Sequence, residues 1–214
     1  MEANFWIERW EKNEIGFHRA DANPALVAHF GKLNLTPGAR VFVPLCGKTL
    51  DIAWLLGQGF RVAGAELSEL AIQQLFEELG ARPTVTPAGA LKRYSADGID
   101  IFVGDIFELD AEALGDIDAT YDRAALVALP PDMRLRYTAH LRAITDGAPQ
   151  LLLTFEYDQS VMPGPPFSIP KDEVQDHYAK AYDVTMITSQ DVPGGIKGLA
   201  PAMETIWLLT SADH

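Results

Sequence analysis

Residues 40–66 read RVFVPLCGKTLDIAWLLGQGFRVAGAE. The apolar run Val41-Phe42-Val43 enters a tight turn at Pro44-Leu45-Cys46-Gly47. Leu50, Ala53, Trp54 and Gly57 then recur at helical spacing, Gln58-Gly59 stops the helix, and Val62–Ala65 forms a second apolar run ending in Glu66. Strand, helix and strand in this order make a βαβ unit, the nucleus of an open parallel sheet. Ligands of such sheets sit beyond the carboxyl ends of the strands, where Leu45, Gly47 and Glu66 fall.

The turn narrows the ligand. Its single glycine lacks the G-x-G-x-x-G pattern of dinucleotide sites. Gly47-Lys48-Thr49 has the tail of a phosphate loop, but that loop needs a glycine at position 42, which is Phe. What remains is Glu66, an acid at the second strand's end, where a carboxylate accepts ribose hydroxyl protons. A nucleoside without a pyrophosphate fits, and S-adenosylmethionine is the commonest such ligand. The alternative makes Glu66 a solvated strand end and Gly47 a plain turn.

Upstream, residues 4–13 have helical spacing, with Trp6 and Trp10 one turn apart. Residues 16–18 break the pattern, and Pro24 opens a second helix bearing Leu26, Val27 and Phe30. These elements either pack on the sheet edge or cross its ligand end; Trp6 either fills core or covers the ligand. Downstream, Ser68 caps a helix that Gly80 stops. Residues 81–98 carry two prolines, two glycines and Lys92-Arg93, and read as an irregular excursion or a short hairpin. Residues 99–103 form a strand followed by Asp105, placed to accept from an adenine amino group or to serve only as a turn acid. Residues 119–122 form a short strand leading to Arg123, whose fork suits ligand contact or pairing with a nearby acid. A helix follows Pro130-Pro131, with His140 at its core edge. Residues 150–155 are the strongest strand, followed by a stiff loop at 162–167. A helix over about 171–181 precedes strands 183–188 and 205–210, which no helix separates and which should therefore pair antiparallel.

This order predicts an α/β fold: a mostly parallel seven-stranded sheet flanked by helices, as in Rossmann-like S-adenosylmethionine-dependent methyltransferases, in one domain over 1–214. Residues 1–36 would form an N-terminal helical lid and 37–214 the core. The length suits one domain. Thirty acids against 17 Lys and Arg give a net charge of −13, without the basic footprint that nucleic acid or anionic membrane demands. The lone Cys46 excludes an internal disulfide and agrees with a reducing cytoplasm. With no obvious base nearby in sequence, Cys46 is expected to line the turn rather than act as nucleophile. His18, His29, His140, His177 and His214 lack metal-ligand spacing, so no metal is expected. With no heptad or exposed apolar stripe, a monomer is the default.

Five segments carry a resemblance. They are FWIERW…IGFH at 5–18, VPLCGK…D at 43–51, VAGAELSE at 62–69, YDRAALVALPP at 121–131 and GPPFSIP at 164–170. The chain resembles the thiopurine S-methyltransferase family, particularly its bacterial members, up to about residue 188. The resemblance implies methyl transfer from S-adenosylmethionine to the sulfur of thiopurines or related thiols; relatives also handle selenium or tellurium compounds. By matching motif, Trp10 and Leu45 would contact the cofactor beside Gly47, Glu66 its ribose, Asp105-Ile106 its adenine, and Arg123 would lie at the same site. Phe17 would lie between cofactor and acceptor, with His18 beside the acceptor. His18 or Asp21 would assist a protonated acceptor. Before the last strand the family tends to place basic residues that approach the substrate; here QDVPGGIKGLAP at 190–201 offers only Lys197.

Overall fold

The computed structural model describes residues 3–16 and 18–211. Among these residues nine strands form one sheet in the order β3-β4-β5-β2-β1-β6-β7-β9-β8. The expected βαβ unit is β1 (Arg40–Pro44), α3 (Leu50–Gly57) and β2 (Arg61–Glu66), with β1 and β2 parallel. It follows α1 (Ala3–Glu11) and α2 (Pro24–His29). β5 (Ile99–Val103), β6 (Ala119–Asp122) and β7 (Gln150–Tyr157) complete a parallel block of five.

Burial explains the block. Parallel strands covered on both faces read as continuous apolar runs, and alternate residues face opposite layers. Val41 and Val43 lie in one cluster with Leu26 of α2, Ile52 and Leu55 of α3, and Phe76 of α4 (Glu69–Glu78). Phe42 lies in the other cluster, with Leu114 of α5 (Ala111–Leu114), Tyr137 and Leu141 of α6 (Pro131–Ile144), and Val174 of α7 (Lys171–Tyr178). The result is three layers, helix on sheet on helix. Helix starts carry the caps their sequences suggest: Asn23 accepts from the Ala25 amide, Thr49 from Asp51 and Ser68 from Ala71.

The sheet departs from expectation in two ways. It has nine strands rather than seven, and its eight pairings divide evenly between parallel and antiparallel instead of being mostly parallel. The extra strands are β3 (Thr84–Ala88) and β4 (Leu91–Ala96), a hairpin laid antiparallel against β5. β3 is an edge strand, solvent-exposed over residues 84–87, so it shows no apolar alternation, and its Pro87 suits an edge. β8 (Tyr182–Asp191) and β9 (Ala202–Ser211) pair antiparallel as expected, but run longer than the sequence pattern suggested. Their extension carries residues 192–201 toward the carboxyl ends of the parallel strands.

Candidate functional site

A cavity of about 590 Å³ lies at those carboxyl ends. Its floor begins at the turn after β1. Leu45 and Gly47 both adopt left-handed backbone, φ 46° and 52°. For a leucine this is a strained conformation, of the kind held at binding sites by its surroundings. The Cys46 amide donates to the Ala65 carbonyl, 3.0 Å, which ties the turn to β2. Burial pushes the Cys46 thiol well up, and the neighbouring Glu66 charge adds to this, so the sulfur stays protonated.

Glu66 is the hinge of the floor. It is buried, yet lines the cavity. One carboxylate oxygen accepts the Gly47 amide, 2.8 Å, and the other the Ser68 amide, 2.8 Å. Burial raises its proton affinity, while the amides of Ser68, Gly47 and Leu67 pull it back down. A carboxylate offers about four lone-pair sites, so acceptor capacity remains toward the cavity. Gly47 in turn forms a cradle that only glycine fits. A Cβ there would lie 2.9 Å from the buried Trp10 ring.

Asp105 and Ile106 follow β5 and line the same cavity. Asp105 is exposed and accepts from the Phe107 amide, 3.0 Å. Ile106 is buried, and its carbonyl accepts from His140 Nε2, 2.8 Å. That bond accounts for His140 at the core edge.

Arg123 and Ala124 follow β6 and also line the cavity; Ala124 has φ 64°. Beneath them Asp122 is fully buried, accepting from the Leu126 amide, 3.1 Å, and the Tyr137 hydroxyl, 2.8 Å. Burial raises its pKa from 3.8 to about 6. Over that interval the folded chain holds a proton that the unfolded chain has released. The stability from this group is therefore full below the lower value and lost as pH rises through the upper one, by about 3 kcal/mol in all. Asp122→Asn should abolish this dependence: its single oxygen can still accept from the Leu126 amide, while its NH2 donates to the Tyr137 oxygen once that hydroxyl turns away. The melting temperature of the variant minus that of the native protein should rise between about pH 4 and pH 7. A difference that does not move with pH would show that Asp122 is not held protonated.

The remaining wall comes from both ends of the chain. Trp6 and Trp10 of α1, with His18, line the cavity on one side. Ile196 and Lys197 of the β8–β9 loop line it too, and Lys197 Nζ donates to the Pro165 carbonyl, 2.7 Å. The His18 imidazole is held below its usual pKa by burial and by the charges of Lys48 and Arg123, with Glu78 opposing, so it is neutral at neutral pH. Asp21, paired with His18 in the sequence reading, is exposed and is not among the residues lining the cavity. The turn at residues 19–22 carries its short side chain into solvent. Phe17 lies outside the described residues. Among the described residues no three His, Cys, Asp or Glu side chains come together to hold a metal ion, and no helix is long and apolar enough to cross a membrane.

Sequence reasoning passed over Asp51, Tyr121, Phe155 and Glu204, all at the cavity. Asp51 stood at the end of a quoted motif, which was the one available signal. Glu204 lies on β9, where only strand alternation could have pointed inward.

The five parallel strand ends, the one-glycine turn and the acid closing β2 define a nucleoside-binding α/β enzyme. Solved structures with the same fold are S-adenosylmethionine-dependent methyltransferases. One is a 1,6-didemethyltoxoflavin-N1-methyltransferase of Burkholderia thailandensis with bound S-adenosylhomocysteine: TM-score 0.66, 19% identity, covering 98% of this chain and 87% of that one. Another is a TehB-like methyltransferase of Corynebacterium glutamicum: TM-score 0.57, 13% identity, covering 98% of each chain. The chain belongs to the thiopurine S-methyltransferase family, whose model matches residues 1–209. Thiopurine S-methyltransferases of Xanthobacter autotrophicus and Teredinibacter turnerae are 59% and 51% identical. The first match spans 99% of this chain and 100% of the relative, the second 98% of each. The protein is thus an S-adenosylmethionine-dependent methyltransferase. Its residues fit that cofactor: Glu66 presents a buried acceptor beside a turn whose Gly47 leaves no room for a side chain.

Proposed function

We propose that the protein transfers the methyl group of S-adenosylmethionine to the sulfur of a thiopurine or a related heterocyclic thiol. The observation that carries this reading is the make-up of the cavity lining outside the β1 turn and the end of β2. Trp6 and Phe155 give flat apolar surface and Ile196 adds to the apolar lining, while Arg9 and Lys197 bring positive charge to the same cavity. A heterocyclic thiolate is both flat and anionic, and the two kinds of contact suit it together.

On this reading Glu66 accepts from the ribose hydroxyls, Asp105 from the adenine amino group, and Ile106 packs beside the base. Leu45, Gly47 and Trp10 shape the site around the cofactor, and Arg123 lies at its far end. Residues 1–36 act as a lid on the core of 37–214. Bound S-adenosylmethionine supplies a methyl group already activated by its sulfonium charge. The chain's task is then to hold the acceptor sulfur in line and exclude water, an orientation effect. Neutral His18 takes the proton of an acceptor that arrives as a thiol. Thiols ionise near neutral pH, so no stronger base is needed.

The test offers labelled S-adenosylmethionine with 6-mercaptopurine, an aliphatic thiol, selenite and tellurite in parallel. Transfer to mercaptopurine is the expected result. Transfer only to the small acceptors would move the function to metalloid or small-thiol methylation.

A further inference from the structure

Asp51 is a carboxylate that the reading above leaves unused. It sits in the first turn of α3, is 1% exposed, and lines the cavity. One of its oxygens accepts the Asn23 amide at 2.6 Å, the other the Tyr121 hydroxyl at 3.1 Å. Those bonds occupy two of about four lone-pair sites. None of the ion pairs among the described residues includes it. A buried charge without a counter-charge is costly, and the helix N-terminus offsets it only in part. A cation that can donate hydrogen bonds would complete the arrangement.

The sheet order says which cation reaches it. Across the site the strands run β5-β2-β1-β6-β7. Asp105 follows β5, Glu66 ends β2, the Leu45–Gly47 turn follows β1, and Tyr121 lies on β6. The cofactor is a chain of parts in fixed order: adenine, ribose, sulfonium sulfur, then an amino-acid end carrying an ammonium and a carboxylate. With adenine over β5 and ribose over β2, the amino-acid end falls over β1 and β6. Asp51 stands there, joined to β6 through Tyr121.

The geometry points to Asp51 as the acceptor for the α-ammonium group of S-adenosylmethionine, with Tyr121 and the Asn23 amide fixing its carboxylate. The assignment rests on the placement of the ribose at Glu66 proposed above. Because Asn23 precedes α2, the same carboxylate also ties the N-terminal segment to the floor.

Titration calorimetry tests this with S-adenosylhomocysteine and its deaminated analogue, in which hydrogen replaces the ammonium. Native protein should bind S-adenosylhomocysteine roughly 10- to 100-fold more tightly than the analogue. Asp51→Asn should lose most of that ratio by weakening only the parent ligand. Glu66→Gln should weaken both ligands alike and keep the ratio, since both carry the ribose. Equal affinities in the native protein overturn the assignment. So does an Asp51→Asn protein that loses both ligands by one factor, the result of a purely structural tie. If Asp51→Asn does not fold, Asp51→Glu keeps the charge but displaces it, and its ratio should fall between native and unity; a native ratio overturns the assignment. If Glu66→Gln changes neither affinity, the ribose placement fails instead.

Discussion

Gly47→Ala should cost about 2–4 kcal/mol of stability and at least tenfold in S-adenosylhomocysteine affinity. Two penalties coincide at this position. The backbone is left-handed, φ 52°, which costs an alanine about 1–2 kcal/mol. The new methyl would also lie 2.9 Å from the Trp10 ring, which is buried and has little room to retreat. Relief would come by moving α1 outward or by twisting the turn, and a twisted turn strains the amide that Glu66 holds. Gly38→Ala separates the two penalties. Gly38 is also left-handed, φ 83°, but nothing lies within 4 Å of its Cβ position. That variant should pay only the backbone cost and keep its affinity. Thermal melts and calorimetry on both variants read the difference, and equal behaviour would remove Trp10 from the account.

The second large effect is expected at Arg134. Its guanidinium is 2% exposed, donates through Nε to the Leu129 carbonyl at 2.8 Å, and pairs through Nη1 with Glu173 at 2.5 Å. It also lies over the Phe167 ring, 5.4 Å from its centre. One side chain thus joins α6, α7, the chain after β6 and the loop of residues 163–169. Arg134→Leu fills similar space but leaves the Leu129 carbonyl without its donor and Glu173 with only His177, 3.3 Å away. Breaking a fully buried pair costs about 3–5 kcal/mol. Glu173 keeps 27% of its side chain in solvent, so about 2–4 kcal/mol is expected. Urea unfolding should show a lower midpoint with an unchanged slope. Leu129, Pro165 and Pro166 line the cavity and the Phe167 amide donates to Val127, so acceptor KM should rise as well. Arg134→Lys, which keeps charge but not the fork, should recover only part of either loss. Full recovery by Lys would mean that charge alone matters there.

The two predictions differ in how far the sequence foreshadowed them. The β1–α3–β2 unit was legible because each signal there is local: an apolar run, a cap, a stop, an acid at the strand end. Gly47 and Glu66 came with it. The β3–β4 hairpin was legible only as one of two readings of residues 81–98, because an edge strand exposed on both faces leaves no periodic trace. Arg134 and Asp51 were overlooked for a different reason. Their meaning lies in partners far along the chain, Glu173 at 39 residues and Tyr121 at 70, and no window spans such distances. The resemblance named Trp10 and Arg123 as site residues by motif, and left Lys197 as the one basic residue of a segment that departs from the family. It did not reveal that Lys197 arrives on a strand extension from the opposite end of the chain to Trp10.

That arrangement sets when the enzyme can begin to work. The floor is built from residues 43–67, but the walls are supplied near residue 10 and near residue 197. α1 precedes the strands that receive it and the β8–β9 arm follows them, so each wall waits on partners far away in sequence. Closing contacts between such distant segments is slow compared with forming local structure. Refolding followed by far-ultraviolet dichroism should therefore run ahead of the return of methyl transfer. Activity reports that both walls have docked, whereas secondary structure also reports segments formed before they dock.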